Sequence, residues 1–142
     1  MRIADVLRSK GDWVATVRPE SSITDLLAGL SEHNVGAMVV VGDDGIAGIV
    51  SERDVVRKLH ERGPALLERP VSEIMTTLVA TCTPRDSVDD LSVLMTTRRV
   101  RHVPVIEDGR LAGIVSIGDV VKTRMEQLEA TQQQLAAYIA QG

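Results

Sequence analysis

Ala47-Gly48-Ile49-Val50-Ser51 returns letter for letter as Ala112-Gly113-Ile114-Val115-Ser116, about 65 residues further on, and an aspartate follows each serine by three positions, Asp54 and Asp119. The same shift carries Val14-Ala15-Thr16 onto Val79-Ala80-Thr81, Pro19 onto Pro84, and Ser22, Asp25 and Leu26 onto Ser87, Asp90 and Leu91. It also carries Val35 and Val40 onto Val100 and Val105, while Ile3-Ala4-Asp5-Val6-Leu7 is echoed by Val71-Ser72-Glu73-Ile74-Met75. Such a chain must build one supersecondary unit twice. Two units are too few for a solenoid, which needs about three or more to bury its faces, so the repeats are expected to cover each other as a pseudo-twofold pair.

Within the first copy, Val14-Ala15-Thr16-Val17 reads as a strand ended by Pro19, and Ser21 or Ser22 caps a helix whose Ile23, Leu26, Leu27 and Leu30 form one apolar stripe. Gly36 closes that helix. The β-branched run 37–41, the turn signal Asp43-Asp44-Gly45 and the run 46–50 then make a hairpin, and a second helix opens at Ser51. Each repeat is thus β-α-β-β-α, which places the chain in the α/β (α+β) class. Residues 1–62 form the first repeat, 63–70 a linker with the breakers Gly63 and Pro64, 71–124 the second repeat and 125–142 a helical tail. From 123 to 140 there is neither Gly nor Pro, and Gly142 is the next breaker. Along this helix Val121, Met125, Leu128, Gln132, Leu135 and Ile139 fall on a heptad seam with one polar position. The seam either lies back on its own domain or pairs with a partner chain.

Ser-x-x-Asp at a strand-to-helix turn has two readings. It is a capping box, the serine and the acidic residue satisfying the helix's first N–H groups. It is also a place where free N–H groups and the helix dipole favour an anion, with a carboxylate beside them that can accept from both hydroxyls of a ribose. The second reading points to a nucleotide held by its sugar and phosphate together. Arg53 stands next to Asp54 where Gly118 stands next to Asp119, so the turn at Asp54 is expected to gain more from added phosphates. The turn at Asp119, where Gly118 offers only backbone and space, is expected to be more permissive of ligand size.

Composition excludes several alternatives. A net charge of −4 with scattered Lys and Arg argues against nucleic acid, and only Trp13 and Tyr138 could stack on a base. No apolar run approaches the roughly 18 residues of a membrane span, so a soluble, cytoplasmic protein is expected. The single cysteine, Cys82, forms no internal disulfide and reads as a buried thiol rather than a nucleophile. His33, His60 and His102 have no metal-ligand spacing. No catalytic constellation emerges, and the expectation is no enzyme, no metal and no obligatory cofactor.

Gly48-Ile49-Val50-Ser51-Glu52-Arg53-Asp54 and Arg101-His102-Val103-Pro104-Val105 resemble the wording of CBS domains, the cystathionine β-synthase type of regulatory module whose tandem pairs are called Bateman modules. The resemblance runs from about Ile3 to Lys122. It implies a non-catalytic sensor that binds AMP, ADP or ATP, or else an NAD-type dinucleotide or S-adenosylmethionine, between the repeats and signals to an unnamed protein target. It also implies a homodimer. One site would combine Ser51, Arg53 and Asp54 with Thr83 and Val100, the other Ser116, Gly118 and Asp119 with Arg18, Val35 and Gly36. Ile49 and Ile114 would touch the base and Arg101 would face a phosphate. The alternatives are a ligand-free dimerisation scaffold and a nucleotide-processing enzyme. Met38-Val39-Val40 in the first repeat departs from Val103-Pro104-Val105 in the second, so the two sites are expected to differ.

Overall fold

The structure, a computed structural model, describes residues 1–77 and 80–141. In chain order its elements are α1 (Ile3–Lys10), β1 (Thr16–Val17), α2 (Ile23–His33), β2 (Ala37–Gly42), β3 (Gly45–Ser51) and α3 (Glu52–Arg62). Short 3-10 turns at Pro64–Glu68 and Val71–Glu73 lead to α4 (Val88–Arg98), β4 (His102–Glu107), β5 (Arg110–Ser116) and α5 (Ile117–Gln141). The chain divides into two compact units, Trp13–Thr81 and Met1–Asp12 together with the chain from Cys82 onward. The sequence repeats place boundaries at residues 62, 70 and 124, whereas the packing divides the chain after Asp12 and Thr81. The unit that contains the second repeat takes α1, and the unit that contains the first takes the turns that follow α3.

In the Trp13–Thr81 unit, β2 and β3 form an antiparallel hairpin in which Val39 faces Ile49, and β1 adds in parallel with Thr16 beside Val39. The helix α2 begins at Ser22, whose hydroxyl accepts from the Asp25 amide, and stops when Asn34 turns left-handed at φ 51°. Asn34 therefore ends the helix before Gly36 is reached, the short amide side chain tolerating a conformation that most residues avoid. Ile23, Leu26 and Leu30 are buried, but Leu27 is 38 % exposed and lies at the edge of the stripe. The apolar core joins α2 to Met38, Val40, Val50 and Val55 and to Leu66, Val71 and Ile74 of the following segment. That segment is stitched on by backbone: the Ile23 amide donates to Arg69 O, the Val71 amide to Ser21 O and the Ser72 amide to Pro19 O.

The other unit repeats this plan with different residues. Ser87 caps α4, Arg99 ends it at φ 55°, and β4 pairs with β5 so that Pro104 faces Ile114. Both hairpins carry a register shift at the same place, after Val40 and after Val105. The strand expected at 79–81 begins outside the described residues. What is described is Cys82, bridged in parallel to Val105 as Val17 is to Val40. Pro104 explains why the second edge is thinner: the Val39 amide donates to Ala15 O, and proline at the equivalent place has no N–H to give. Here the stitching comes from the chain start, the Ile3 amide donating to Asp86 O and the Ala4 amide to Pro84 O, while Ile3, Val6 and Leu7 enter the core.

The helix α5 opens at Ser116 and runs through to Gln141, where the helix-forming composition predicts one. Val120 and Thr123 are buried, whereas Val121, Met125, Leu128, Leu135 and Ile139 are each more than half exposed. The seam therefore finds no cover among the described residues, and of the two alternatives, lying back on its own domain or pairing with a partner chain, the first is not seen here. Gly142, the expected breaker, lies outside the described residues.

Each unit has one place where a side chain would not fit. A Cβ on Gly48 would stand 2.5 Å from the backbone oxygen of Thr76, and one on Gly113 would stand 2.6 Å from Cδ2 of Leu7. Overpacking of this kind costs about 1–3 kcal/mol. Gly48→Ala is expected at or above the top of that range, because Thr76 exchanges both backbone bonds with Ile49 and cannot move alone. Gly113→Ala is expected near the bottom, because a leucine can change rotamer. Urea unfolding of the two variants checks the order, and equal losses would contradict it.

Candidate functional site

The two Ser-x-x-Asp turns are built alike. Each strand ends on serine in extended conformation, and the next residue begins the helix. The Ser51 amide donates to Asp54 Oδ2 at 2.9 Å, and the Ser116 amide to Asp119 Oδ2 at 2.8 Å. In return the Asp54 amide donates to Ser51 Oγ at 3.3 Å and the Asp119 amide to Ser116 Oγ at 3.1 Å. Both are capping boxes, so the bland reading of the motif is physically present in each copy. The first helical amide of each is also held from the loop before the hairpin: Glu52 N–H donates to Gly36 O at 3.0 Å and Ile117 N–H to Arg101 O at 2.8 Å. These bonds draw Gly36 to the Ser51 turn and Arg101 to the Ser116 turn. Capping engages Oδ2 of each aspartate, and among the described residues nothing donates to either Oδ1.

The surroundings of the two carboxylates differ. Ser51 Oγ also donates to Asp54 Oδ2, at 3.1 Å, and no cation reaches this carboxylate among the described residues. At the second turn the Lys10 ammonium donates to Asp119 Oδ2 at 2.6 Å and to Ile114 O at 2.8 Å. The side chains of this ion pair are 31 % and 21 % exposed, so it is half-buried. Burial pushes the Asp119 carboxyl up, but the Lys10 hydrogen bond and the Ser116 amide outweigh it and hold the group below its ordinary 3.8.

Of the other residues marked from sequence, Arg53, Arg101 and Gly118 are exposed, and Val35, Val100, Ile49 and Ile114 are half-buried at or beside the hairpins. A Cβ on Gly118 would meet only Ser116 Oγ, at 3.6 Å, so the turn is roomy there. Thr83 is exposed and its amide donates to Asp86 Oδ2 at 2.9 Å. Arg18 is committed within its own unit: its guanidinium donates to Glu20 Oε1 at 3.0 Å and to Asp43 Oδ1 at 2.7 Å. Its positive charge is more than matched by those two carboxylates. The cation that meets Asp119 is Lys10, which sequence reasoning missed. Lys10 lies on the helical turn after Leu7, but nothing in the pattern of residues 3–7 says which repeat that helix joins.

Cys82 is buried, its Sγ 3.8 Å from Pro104 O, and desolvation together with the nearby Asp86 charge pushes its thiol up to about 12. It is therefore no thiolate at neutral pH. Among the described residues no group of His, Cys, Asp and Glu could hold a metal, and no helix is long and apolar enough to cross a membrane.

The model of the CBS domain matches residues 14–61 and again 71–126. The chain belongs to the CBS domain family. A curated relative, the CBS domain-containing protein CBSX3, mitochondrial, of Arabidopsis thaliana, is 38 % identical over 99 % of this chain and 72 % of its own length. The crystal structure of the CBS-domain containing protein ATU1752 from Agrobacterium tumefaciens superposes with a TM-score of 0.83 at 47 % identity, covering 87 % of this chain and 92 % of that one. The CBS domain pair of protein MJ0100, in complex with 5-methylthioadenosine and S-adenosyl-L-methionine, superposes with a TM-score of 0.79 at 25 % identity, covering 89 % and 98 %. The two matched CBS segments correspond to the tandem repeat, and the mixed helix and sheet composition of each unit is that of CBS pairs.

The Lys10–Asp119 pair has a pH signature. A depressed carboxyl contributes stability above its ordinary 3.8, and that contribution is lost as pH falls through the lower folded value. Asp119→Asn is therefore expected to melt below the parent at neutral pH, with the gap narrowing as pH drops past that value. Thermal melting across the acid range reads the effect, and a gap that stays constant with pH would show that the carboxylate's charge is immaterial.

Proposed function

We propose that this CBS domain pair is a non-catalytic sensor of adenosine-containing ligands, AMP, ADP or ATP foremost. The ribose hydroxyls donate to Asp54 and Asp119, and the helix N-termini with Arg53, Arg101 and the neighbouring amides receive the anionic end. Ile49 and Ile114 lie two residues before the serines of their own turns, on β3 and β5, and are the residues for the base; Thr83, Val35, Val100 and Gly36 are assigned beside it. The observation that supports this reading is the repeated turn itself: each unit presents a carboxylate whose Oδ2 is engaged by the cap while Oδ1 has no donor among the described residues. The ligands named for the MJ0100 pair, S-adenosyl-L-methionine and 5-methylthioadenosine, both contain adenosine and keep a ribose diol. An NAD-type dinucleotide meets the same chemistry. A reducing, cytoplasm-like compartment suits the lone thiol of Cys82.

Signalling requires a partner that distinguishes the liganded from the unliganded pair, since a ligand shifts an equilibrium only by its differential affinity. The first partner is a second copy of the chain. The exposed seam of α5 has the 4-3-4-3-4 spacing of a two-stranded coil. Gln132 at the centre sets the register. A chain lacking residues 126–142 is expected to sediment as monomer at concentrations where the full chain is a dimer. A full chain that sediments as monomer at micromolar concentration would reject this pairing.

Calorimetric titration tests the binding itself. AMP is expected to bind with a dissociation constant near micromolar, about −8 kcal/mol, and to raise the melting temperature by linkage. Asp54→Asn and Asp119→Asn are each expected to weaken one site by about tenfold or more, from the roughly 1.5–3 kcal/mol of a charged hydrogen bond. Two variants that bind like the parent but melt lower would leave capping as the whole role of these residues and favour the scaffold reading.

A further inference from the structure

Asp54 and Asp119 occupy equivalent places, yet among the described residues only Asp119 carries an ammonium. The reason is local and traceable. Leu7 lies against Gly113 as Met75 lies against Gly48, so α1 and the segment around Met75 serve as the same wedge in their two units. Counting three residues on from each, Lys10 corresponds to Leu78. Leu78 is outside the described residues, and as a leucine it brings no charge. On α1 the helix continues to Lys10, whose ammonium then rests on Asp119 Oδ2 and Ile114 O. Ile114 is the residue assigned to the base and Asp119 the residue assigned to the ribose. Lys10 thus touches the carboxylate assigned to the ribose and the backbone carbonyl of the residue assigned to the base.

We infer that Lys10 is the specificity-determining residue of the Asp119 turn, restricting it to adenosine ligands that carry an anionic group, a nucleotide above all; this rests on the reading that the turn binds adenosine ligands. A ribose that donates to Oδ1 draws charge from the same carboxylate whose Oδ2 holds the ammonium, the one carboxylate it meets among the described residues. An uncharged nucleoside offers nothing in exchange and leaves a half-buried ammonium with one carbonyl oxygen. A phosphate offers a full exchange, because lysine is a compact charge with three donors on a flexible four-carbon stem and moves to the anion without disturbing the helix that carries it. Among the described residues the carboxylate at the Asp54 turn holds no ammonium, so that turn places no such condition on its ligand. This reverses the expectation drawn from Arg53 and Gly118, under which the Asp54 turn was the more phosphate-dependent. Of the other cations, Arg8 is engaged with Asp5 on the same helix and Arg124, farther along α5, with Asp89, whereas Arg101, whose carbonyl holds the Ile117 amide, stands at the same turn and adds to its attraction for an anion without touching Asp119.

The test uses the full chain carrying Asp54→Asn, so that calorimetry reads the second turn alone, with AMP as the anionic probe and adenosine and 5-methylthioadenosine as uncharged ones. With Lys10 in place, AMP is expected to bind at least about tenfold tighter than either uncharged probe. In Lys10→Met the AMP affinity should fall and the uncharged probes should bind as well or better, so that the preference largely disappears; Lys10→Arg should retain it. An AMP preference unchanged in Lys10→Met, with AMP binding still abolished by adding Asp119→Asn, overturns the role of Lys10 while leaving the site standing. No binding of any probe with Lys10 in place overturns both. Should Lys10→Met fail to fold, phosphorus NMR of AMP bound with Lys10 in place decides instead. An ammonium on the phosphate lowers its second ionisation from about 6, and an unshifted titration overturns the proposal.

Discussion

The close approach of chain to bare glycine, at Gly48 and again at Gly113, is the constraint on which each unit depends. Where Cβ is missing, the neighbouring segment can settle against the hairpin at a separation that a side chain would forbid at Gly48 and would allow at Gly113 only after Leu7 moved. In the Trp13–Thr81 unit this lets Thr76 add to Ile49 as a further strand-like partner and brings Val71 and Ile74 into the core. In the other unit it lets Leu7 pack flat and carries the rest of α1 toward the Ser116 turn. The serine that opens the second helix lies three residues past each glycine. Wedge, strand end and helix N-terminus are therefore one mechanical assembly, and a shift in the first is transmitted to the last.

Much of this was legible in the residues because the chemistry is short-range. Helix starts at Ser22, Ser51 and Ser87 follow from a side-chain oxygen reaching an amide three residues away, and the hairpins follow from Asp43-Asp44-Gly45 and Asp108-Gly109 between β-branched runs. The unbroken final helix follows from its composition. The destination of the leading segments was not legible. Residues 3–7 and 71–75 are alike in pattern, so either could serve either unit, and only long-range packing separates the choices. Lys10 was missed for that reason, since its partner lies more than a hundred positions away. Leu27 was assigned to the buried stripe because helical spacing permits it, yet the stripe is narrower than the spacing allows. Pro104 is the opposite case: its effect on the edge of its sheet follows from a missing N–H that the sequence displays openly.

The two units keep the same backbone and diverge in charge. Arg18 sits between Glu20 and Asp43 in one unit, whereas the corresponding part of the other holds no such triad among the described residues. Lys10 meets Asp119, while among the described residues Asp54 meets only Ser51. Duplication of this kind leaves the backbone bonds at each turn nearly identical in length and concentrates the difference in side chains that reach the carboxylate from outside the motif. Motif matching alone would score the two turns as the same.

The partition of the chain also has a consequence for synthesis. The Trp13–Thr81 unit is contiguous, so everything it packs emerges within one stretch of chain. The helix α1 is made some hundred residues before β5, its packing partner, and at about 5–20 residues per second this leaves Ile3, Val6 and Leu7 uncovered for several seconds. During that interval the first unit has all of its own chain, while the eight residues of α1, too few to hold a helix alone, have no core to join. The ionic residues interspersed along α1, Asp5, Arg8 and Lys10, keep it soluble while it waits. Lys10 thus serves the nascent chain as a solubilising charge before it serves the folded one.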